Sequence, residues 1–160
     1  MGLDILMESK QSDKQVHLSR QFCRELIDQS ENKNAVLNQI FKLFEIDPHL
    51  LENMNTWSLE KTFWEETPKT LSKEAINTYY VQAWQKAKSF SKQIRLLIDA
   101  LEKSTNSLAG LNYNQDCQKA YYQETINPVY GVCNFKEDLQ NILFFLDNLP
   151  KNELVKFHYF

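Results

Sequence analysis

Residues 72–103 read SKEAINTYYVQAWQKAKSFSKQIRLLIDALEK. Within them Ile76, Tyr80, Ala83, Ala87, Phe90, Ile94, Leu97 and Leu101 follow one another at alternating steps of four and three. That alternation lines eight side chains along one seam of a helix, the spacing by which one helix packs against another. The stretch therefore predicts one long central helix, which at ~1.5 Å per residue is roughly 48 Å long and must bend, break or protrude. Ala83 and Ala87 sit together on the seam and leave room there for another backbone to approach closely. The pattern specifies architecture and very little chemistry.

Outward from this seam the chain is read as further helices with extended ends. Ser19 is a fitting N-cap for a helix over Arg20–Gln29, whose Phe22, Cys23, Leu26 and Ile27 share a face. Asn34 opens a second helix with Leu37, Ile40, Phe41 and Phe44 at helical spacing. Asp47-Pro48 reads as a cap followed by Pro at the first helical position, where its missing N–H costs nothing. From Asn55 to Thr70 the periodicity loosens into an irregular or partly helical connector. Ser104–Gly110 reads as a turn, and Asn112–Thr125 as another helix. Asn134 with Glu137 three residues later is a capping-box arrangement opening a helix that carries Leu139, Ile142, Leu143, Leu146 and Leu149. Gly2–Met7, Gln15–Leu18 and Leu154–Phe160 have extended character, and a lone strand is unstable. Pairing the termini gives a small sheet. The expectation is an α+β fold, predominantly helical, in one domain over residues 1–160.

Composition narrows the classes of function. Only three glycines occur, Gly2, Gly110 and Gly131, all isolated, so the Gly-rich loops that cradle phosphates are missing. Eighteen basic against 21 acidic residues give a net charge of −3, which draws in neither nucleic acid nor anionic lipid. Lys88, Lys92 and Arg95 share one side of the long helix, but Asp99 lies at i+4 from Arg95, and a solvated face explains them; no nucleic-acid partner is expected. The longest apolar run, Ile142–Leu146, is far too short to span a membrane. Three cysteines, Cys23, Cys117 and Cys133, form no C-x-x-C and fit core packing in a reducing cytoplasm better than a disulfide framework.

The opening Met1-Gly-Leu-Asp-Ile5, the segment His17–Cys23, the helix around Asp138–Asn141 and the strand Val155–Tyr159 resemble a loose group of small bacterial proteins. Members of that group share this start and end in a helix followed by an aromatic strand. The resemblance covers the two ends of the chain and implies that they form one structural unit. It also implies a bacterial origin and brings with it no activity, cofactor or site residues.

A search for reaction centres finds little. His17, His49 and His158 are far apart in sequence and belong to neither H-E-x-x-H nor E-x-x-H, so neither metal nor cofactor is expected. Cys23 lies six residues from His17 on an apolar helix face, where burial raises a thiol pKa and blunts its reactivity. Adjacent carboxylates such as Glu65 and Glu66 point to different sides of a helix. One enzymatic alternative stays open: Asp4, His17, Arg20 and His158 converging near the terminal sheet, since active sites gather residues distant in sequence.

The better reading is a binding protein. Between Phe44 and Glu66 stand Glu45, Asp47, Glu52, Glu60, Glu65 and Glu66 against Lys61 alone. Trp57, Phe63 and Trp64 lie among them. Large aromatics rimmed by charge are the make-up of an interface anchor, although aromatics more often fold back onto the core. Trp57, Glu60, Phe63, Trp64, Glu65 and Glu66 are thus the expected partner-binding face, suited to a basic protein. An immunity or antitoxin-type inhibitor in the cytoplasm is one concrete form. A homodimer follows if the long seam exceeds what the chain's own helices cover.

Overall fold

Asp4 and Phe160 exchange both backbone hydrogen bonds, each at 3.0 Å, so the two ends of the sheet-forming chain lie side by side. The computed structural model describes residues 4–64, 73–104, 107–123 and 133–160. The sheet has four antiparallel strands in the order β2-β1-β4-β3. They are β1 (Ile5–Ser9), β2 (Gln15–His17), β3 (Gln85–Lys86) and β4 (Leu154–Tyr159). Alternation decides its faces: Ile5, Met7, Val155, Phe157 and Tyr159 point into the core, while Glu8, Lys156 and His158 lie on the other side. The expected union of the termini is observed, in an α+β fold that is predominantly helical.

The helices are α1 (Arg20–Glu31), α2 (Val36–Leu43), α3 (His49–Met54), α4 (Trp57–Trp64), α5 (Lys73–Ala83), α6 (Ala87–Lys103), α7 (Asp116–Tyr122) and α8 (Phe135–Asp147), with a 3-10 turn at Ser107–Gly110. The two expected caps are in place. Ser19 Oγ accepts from Phe22 N at 3.1 Å, and Asn134 Oδ1 from Glu137 N at 2.9 Å. Asp47 also serves its helix start, accepting from His49 N at 3.0 Å, with Pro48 itself at the cap position. The connector from Asn55 is more regular than its sequence suggests, being helical through Trp64; Glu65–Thr70 lie outside the described residues. The helix expected over Asn112–Thr125 is shorter, Asp116–Tyr122, and Thr125 is likewise outside them.

The seam of residues 72–103 is split. The helix stops at Ala83, and Gln85–Lys86 pair with Val155 and Leu154 of β4 as an edge strand. Ala87 N, one of the first N–H groups of α6 that no helical carbonyl can satisfy, donates to Glu153 O at 2.9 Å. The ladder with β4 replaces one turn's worth of helical bonds. Ala83 and Ala87 are 0% and 5% exposed, and at Ala87 a second backbone does come close, at Glu153. Apolar phase carries across because the three-residue excursion stands in for roughly one turn, and periodicity cannot sense which backbone supplies the hydrogen bonds.

Beyond the break, α6 buries Ala87, Phe90, Ile94, Leu97, Ile98 and Leu101, so the chain covers this half of its stripe itself. Phe90 meets Phe157 of the sheet edge-on at 6.2 Å. The antiparallel neighbour α8 contributes Phe135, Leu139, Ile142 and Leu146. Polar ties run along the same pair: Ser91 Oγ donates to Asp147 Oδ1 at 2.9 Å, and Lys136 lies 3.6 Å from Glu102. Arg95 pairs with Asp147 of α8 rather than with Asp99, because the neighbouring helix brings a carboxylate to its guanidinium.

Among the described residues Asp13, Glu45 and Asn152 take positive φ without being glycine, and the turn after α2 is the one that bounds a helix end. Glu45 follows α2 with φ 54°, and Ile46 N reaches back to Phe41 O at 2.9 Å, the six-to-one bond of a Schellman motif. A left-handed residue with a Cβ costs roughly 1–2 kcal/mol, and glycine does not incur it. Glu45→Gly is therefore expected to stabilise the fold by about 0.5–1 kcal/mol after the extra entropy of the unfolded glycine. Urea denaturation checks this; an unchanged or lower midpoint contradicts it.

Candidate functional site

An open groove of about 710 Å³ runs between the C-terminal end of α1 and the α2–α4 unit. Phe41, Ile46 and Pro48 form an apolar wall, and Glu31, Lys33, Lys42 and Glu52 stand around its rim. Its floor is made of amides. Gln29 Nε2 donates to Asn38 Oδ1 at 3.2 Å, and Asn38 Nδ2 donates back to Gln29 O at 3.3 Å and to Asn32 O at 3.0 Å. Asn55, 4% exposed, donates to Leu26 O at 2.6 Å and to Gln29 Oε1 at 2.8 Å. Its own oxygen accepts from Trp57 N at 3.3 Å and from the Tyr159 hydroxyl of β4. A chain of amides thus ties the groove to the core of the terminal sheet, and every buried donor in it is satisfied, which holds the floor rigid.

Glu45, Asp47 and Glu52 are exposed along the turn and short helix that bound this groove. Their placement follows from local chemistry: Glu45 and Asp47 alternate with the half-buried Ile46 and Pro48, so the acidic side chains face out. The acidic stretch of the sequence becomes an acidic edge. Glu60 is half-buried and accepts from the Tyr80 hydroxyl at 2.7 Å, linking α4 to α5. Burial, with the Glu60 carboxylate beside it, pushes that phenol well above its usual range.

Trp57, for which the sequence leaves open an exposed anchor or a fold back onto the core, is buried at 9% exposure. Its ring packs on Tyr159 at 6.0 Å, and its Nε1 donates to Glu31 Oε1 at 2.9 Å. The tryptophan caps the core because the N-cap region at Asn55 turns α4 back over α1. The Trp57 hydrogen bond, then Lys61 at 2.9 Å, holds the Glu31 carboxyl below its ordinary value. Phe63 and Trp64 belong to α4, but their side chains, like Glu65 and Glu66 altogether, lie outside what is described.

Among the described residues, the enzymatic constellation is brought together only in part. His17 and His158 sit on either side of Leu6, on the two strands flanking β1. Asp4, His17, Arg20 and His158 are all exposed, and none lines the groove. His158 Nδ1 lies 3.8 Å from Glu8 Oε1. Cys23 is buried, its Sγ 3.8 Å from Ile5 O, and burial pushes the thiol up, away from reactivity. Cys117 was expected in the core; it is exposed, because α7 turns Gln118, Tyr121 and Tyr122 inward instead. Cys133 is half-buried. Among the described residues no group of three or more His, Cys, Asp or Glu is placed to hold a metal ion, and no helix is long and apolar enough to cross a membrane.

No family model, no curated protein and no solved structure matches this chain. The amide floor is the part of the site that sequence reasoning missed. The one signal for it was Asn55 itself, an asparagine two residues ahead of a helix, where its oxygen caps the first turn.

Proposed function

We propose that this chain is a non-catalytic cytoplasmic binding protein that docks a basic protein partner along the edge Glu45–Asp47–Glu52 and the adjoining groove. The observation that carries the reading is the fold's sorting of the acidic stretch: three carboxylates are displayed together beside an open, pre-formed groove with a satisfied floor. Such an arrangement speeds capture of a positively charged surface and penalises acidic competitors. With Trp57 committed to the core, the anchoring side chain comes from the partner and enters the groove against Phe41 and Ile46. Masking of a partner's basic active site, as an immunity or antitoxin-type inhibitor does, is the form of function this geometry suits best.

The test is retention of a partner from a lysate of the source cells by the wild-type chain and by the triple variant Glu45→Lys, Asp47→Lys, Glu52→Lys. A basic protein held by the wild type is expected, lost with the variant and weakened as salt rises. No captured protein, or capture indifferent to the charge reversal, would discard the reading. Circular dichroism of the variant keeps loss of binding distinct from loss of fold.

A further inference from the structure

One turn before the groove's Gln29, on the same buried face of α1, lies a second polar cluster that the binding reading leaves unused. Glu25 is 4% exposed, and both its oxygens accept from one amide, Gln118 Nε2 of α7, at 2.8 and 3.1 Å. Gln21 Nε2 approaches at 3.4 Å. One helix further, Asp138 of α8 accepts from Tyr121 Oη of α7 and from Ser19 Oγ, both at 2.6 Å. A seven-residue helix is thus docked through two buried carboxylates.

Both carboxylates are buried without a cation partner among the described residues, and burial pushes both above the usual range. Asp138 stands in the first turn of α8 and takes two short hydroxyl hydrogen bonds, which offset part of that rise. Glu25 lies in mid-helix, with the Gln118 and Gln21 amides and the Tyr122 hydroxyl beside it. The titratable groups that bear on it are Asp28 of the same helix and Tyr122 of α7, with Asp138 beyond Tyr121. Two buried oxygens beside it have no hydrogen-bond partner, Asp28 Oδ2 and Tyr122 Oη. A proton on Glu25 would remove a buried charge that no cation among the described residues offsets and relieve its repulsion with Asp28.

We propose that α7 is held by a proton-dependent clasp: Glu25 takes up a proton when α7 is docked, and the helix is bound more tightly with that carboxyl neutral than ionised. Burial pushes Glu25 above the usual carboxylate range, and the Asp28 charge adds to the rise. Lifting α7 returns the carboxyl to water and to its ordinary value. A group raised in the docked state contributes its full stabilisation below the undocked value and loses it as pH rises through the docked value. Mild acid therefore closes the clasp and alkali loosens it.

Hydrogen exchange of the α7 amides, corrected for intrinsic rates, reads this directly. As pH falls through the raised docked value toward the ordinary carboxylate range, the wild type is expected to gain protection by up to tenfold per pH unit from this proton, the limit for one coupled group. Glu25→Gln, permanently neutral, is expected to be better protected at high pH, with the slope reduced by this proton's share and any remainder belonging to Asp138. Asp28→Asn is expected to keep most of the wild-type slope. Protection independent of pH in the wild type, or an unchanged slope in Glu25→Gln, overturns the proposal. Should that variant fail to fold, carbon-13 titration of the wild-type Glu25 carboxyl decides: an ordinary carboxylate midpoint is equally fatal.

Discussion

Asn55→Ala is expected to be among the most damaging single changes in this protein, lowering unfolding free energy by about 3–4 kcal/mol. The side chain is small, and its truncation leaves little void. The loss comes instead from the partners it abandons: Leu26 O, Gln29 Oε1, Trp57 N and the Tyr159 hydroxyl all bond to Asn55. Each buried group left unpaired costs ~1–3 kcal/mol, and shared relaxation keeps the sum well under the total. Thermal unfolding should show a drop of roughly 10 °C for a chain of this size. Tyr159→Phe removes only one of these bonds and should cost about 1–2 kcal/mol. If Asn55→Ala loses less than Tyr159→Phe, the amide chain is not what secures the groove floor to the sheet.

Glu153→Ala ranks second, with an expected loss of about 2–3 kcal/mol in urea denaturation. Glu153 is 3% exposed, and its Oε1 accepts from Gln11 N at 3.0 Å, Ser12 N at 2.7 Å and Ser12 Oγ at 2.9 Å. It therefore pins the β1–β2 turn to the start of β4, while its backbone oxygen receives Ala87 N. Glu153→Gln keeps one acceptor oxygen and should forfeit roughly half as much. The pH dependence carries a sign opposite to that at Glu25. Burial alone would raise this carboxyl, but the Ser12 and Gln11 donors outweigh it and hold the value below the ordinary range. Its contribution is present above the unfolded carboxylate value and disappears as pH falls through the folded one. Equal acid sensitivity of wild type and Glu153→Gln would contradict that account.

Local chemistry announced several features that the structure retains. Ser19 and Asn134 start their helices because each offers an oxygen to a backbone N–H that the helix cannot satisfy. The termini pair because alternation in Val155, Phe157 and Tyr159 demands a sheet, and only the extended opening segment supplies an equal partner. Such signals involve neighbours within four residues or a period of two, so they are written in the order of the residues.

The candidate site was legible only in half. Its acidic edge could be read from the charges of Glu45, Asp47 and Glu52. General preference favoured Trp57 folding back onto the core, but not which groups would receive it, since its partners Glu31 and Tyr159 are distant in sequence. The same limit hid the clasp, in which Gln118 meets Glu25 across 93 positions.

Helix phase, cap positions and the pairing of the two ends belong to the order of residues alone, because short-range hydrogen bonds and apolar period suffice to specify them. Whether the seam stays one rod was decided elsewhere. Residues 84–86 leave the helix because β4 offers the backbone of Gln85 and Lys86 an alternative set of hydrogen bonds, and the small Ala87 follows with its own bond to Glu153 O. Tertiary contact likewise chose which polar side chains are buried, since burying Asn55, Glu25 or Glu153 is tolerable only after remote segments have brought their hydrogen-bonding partners.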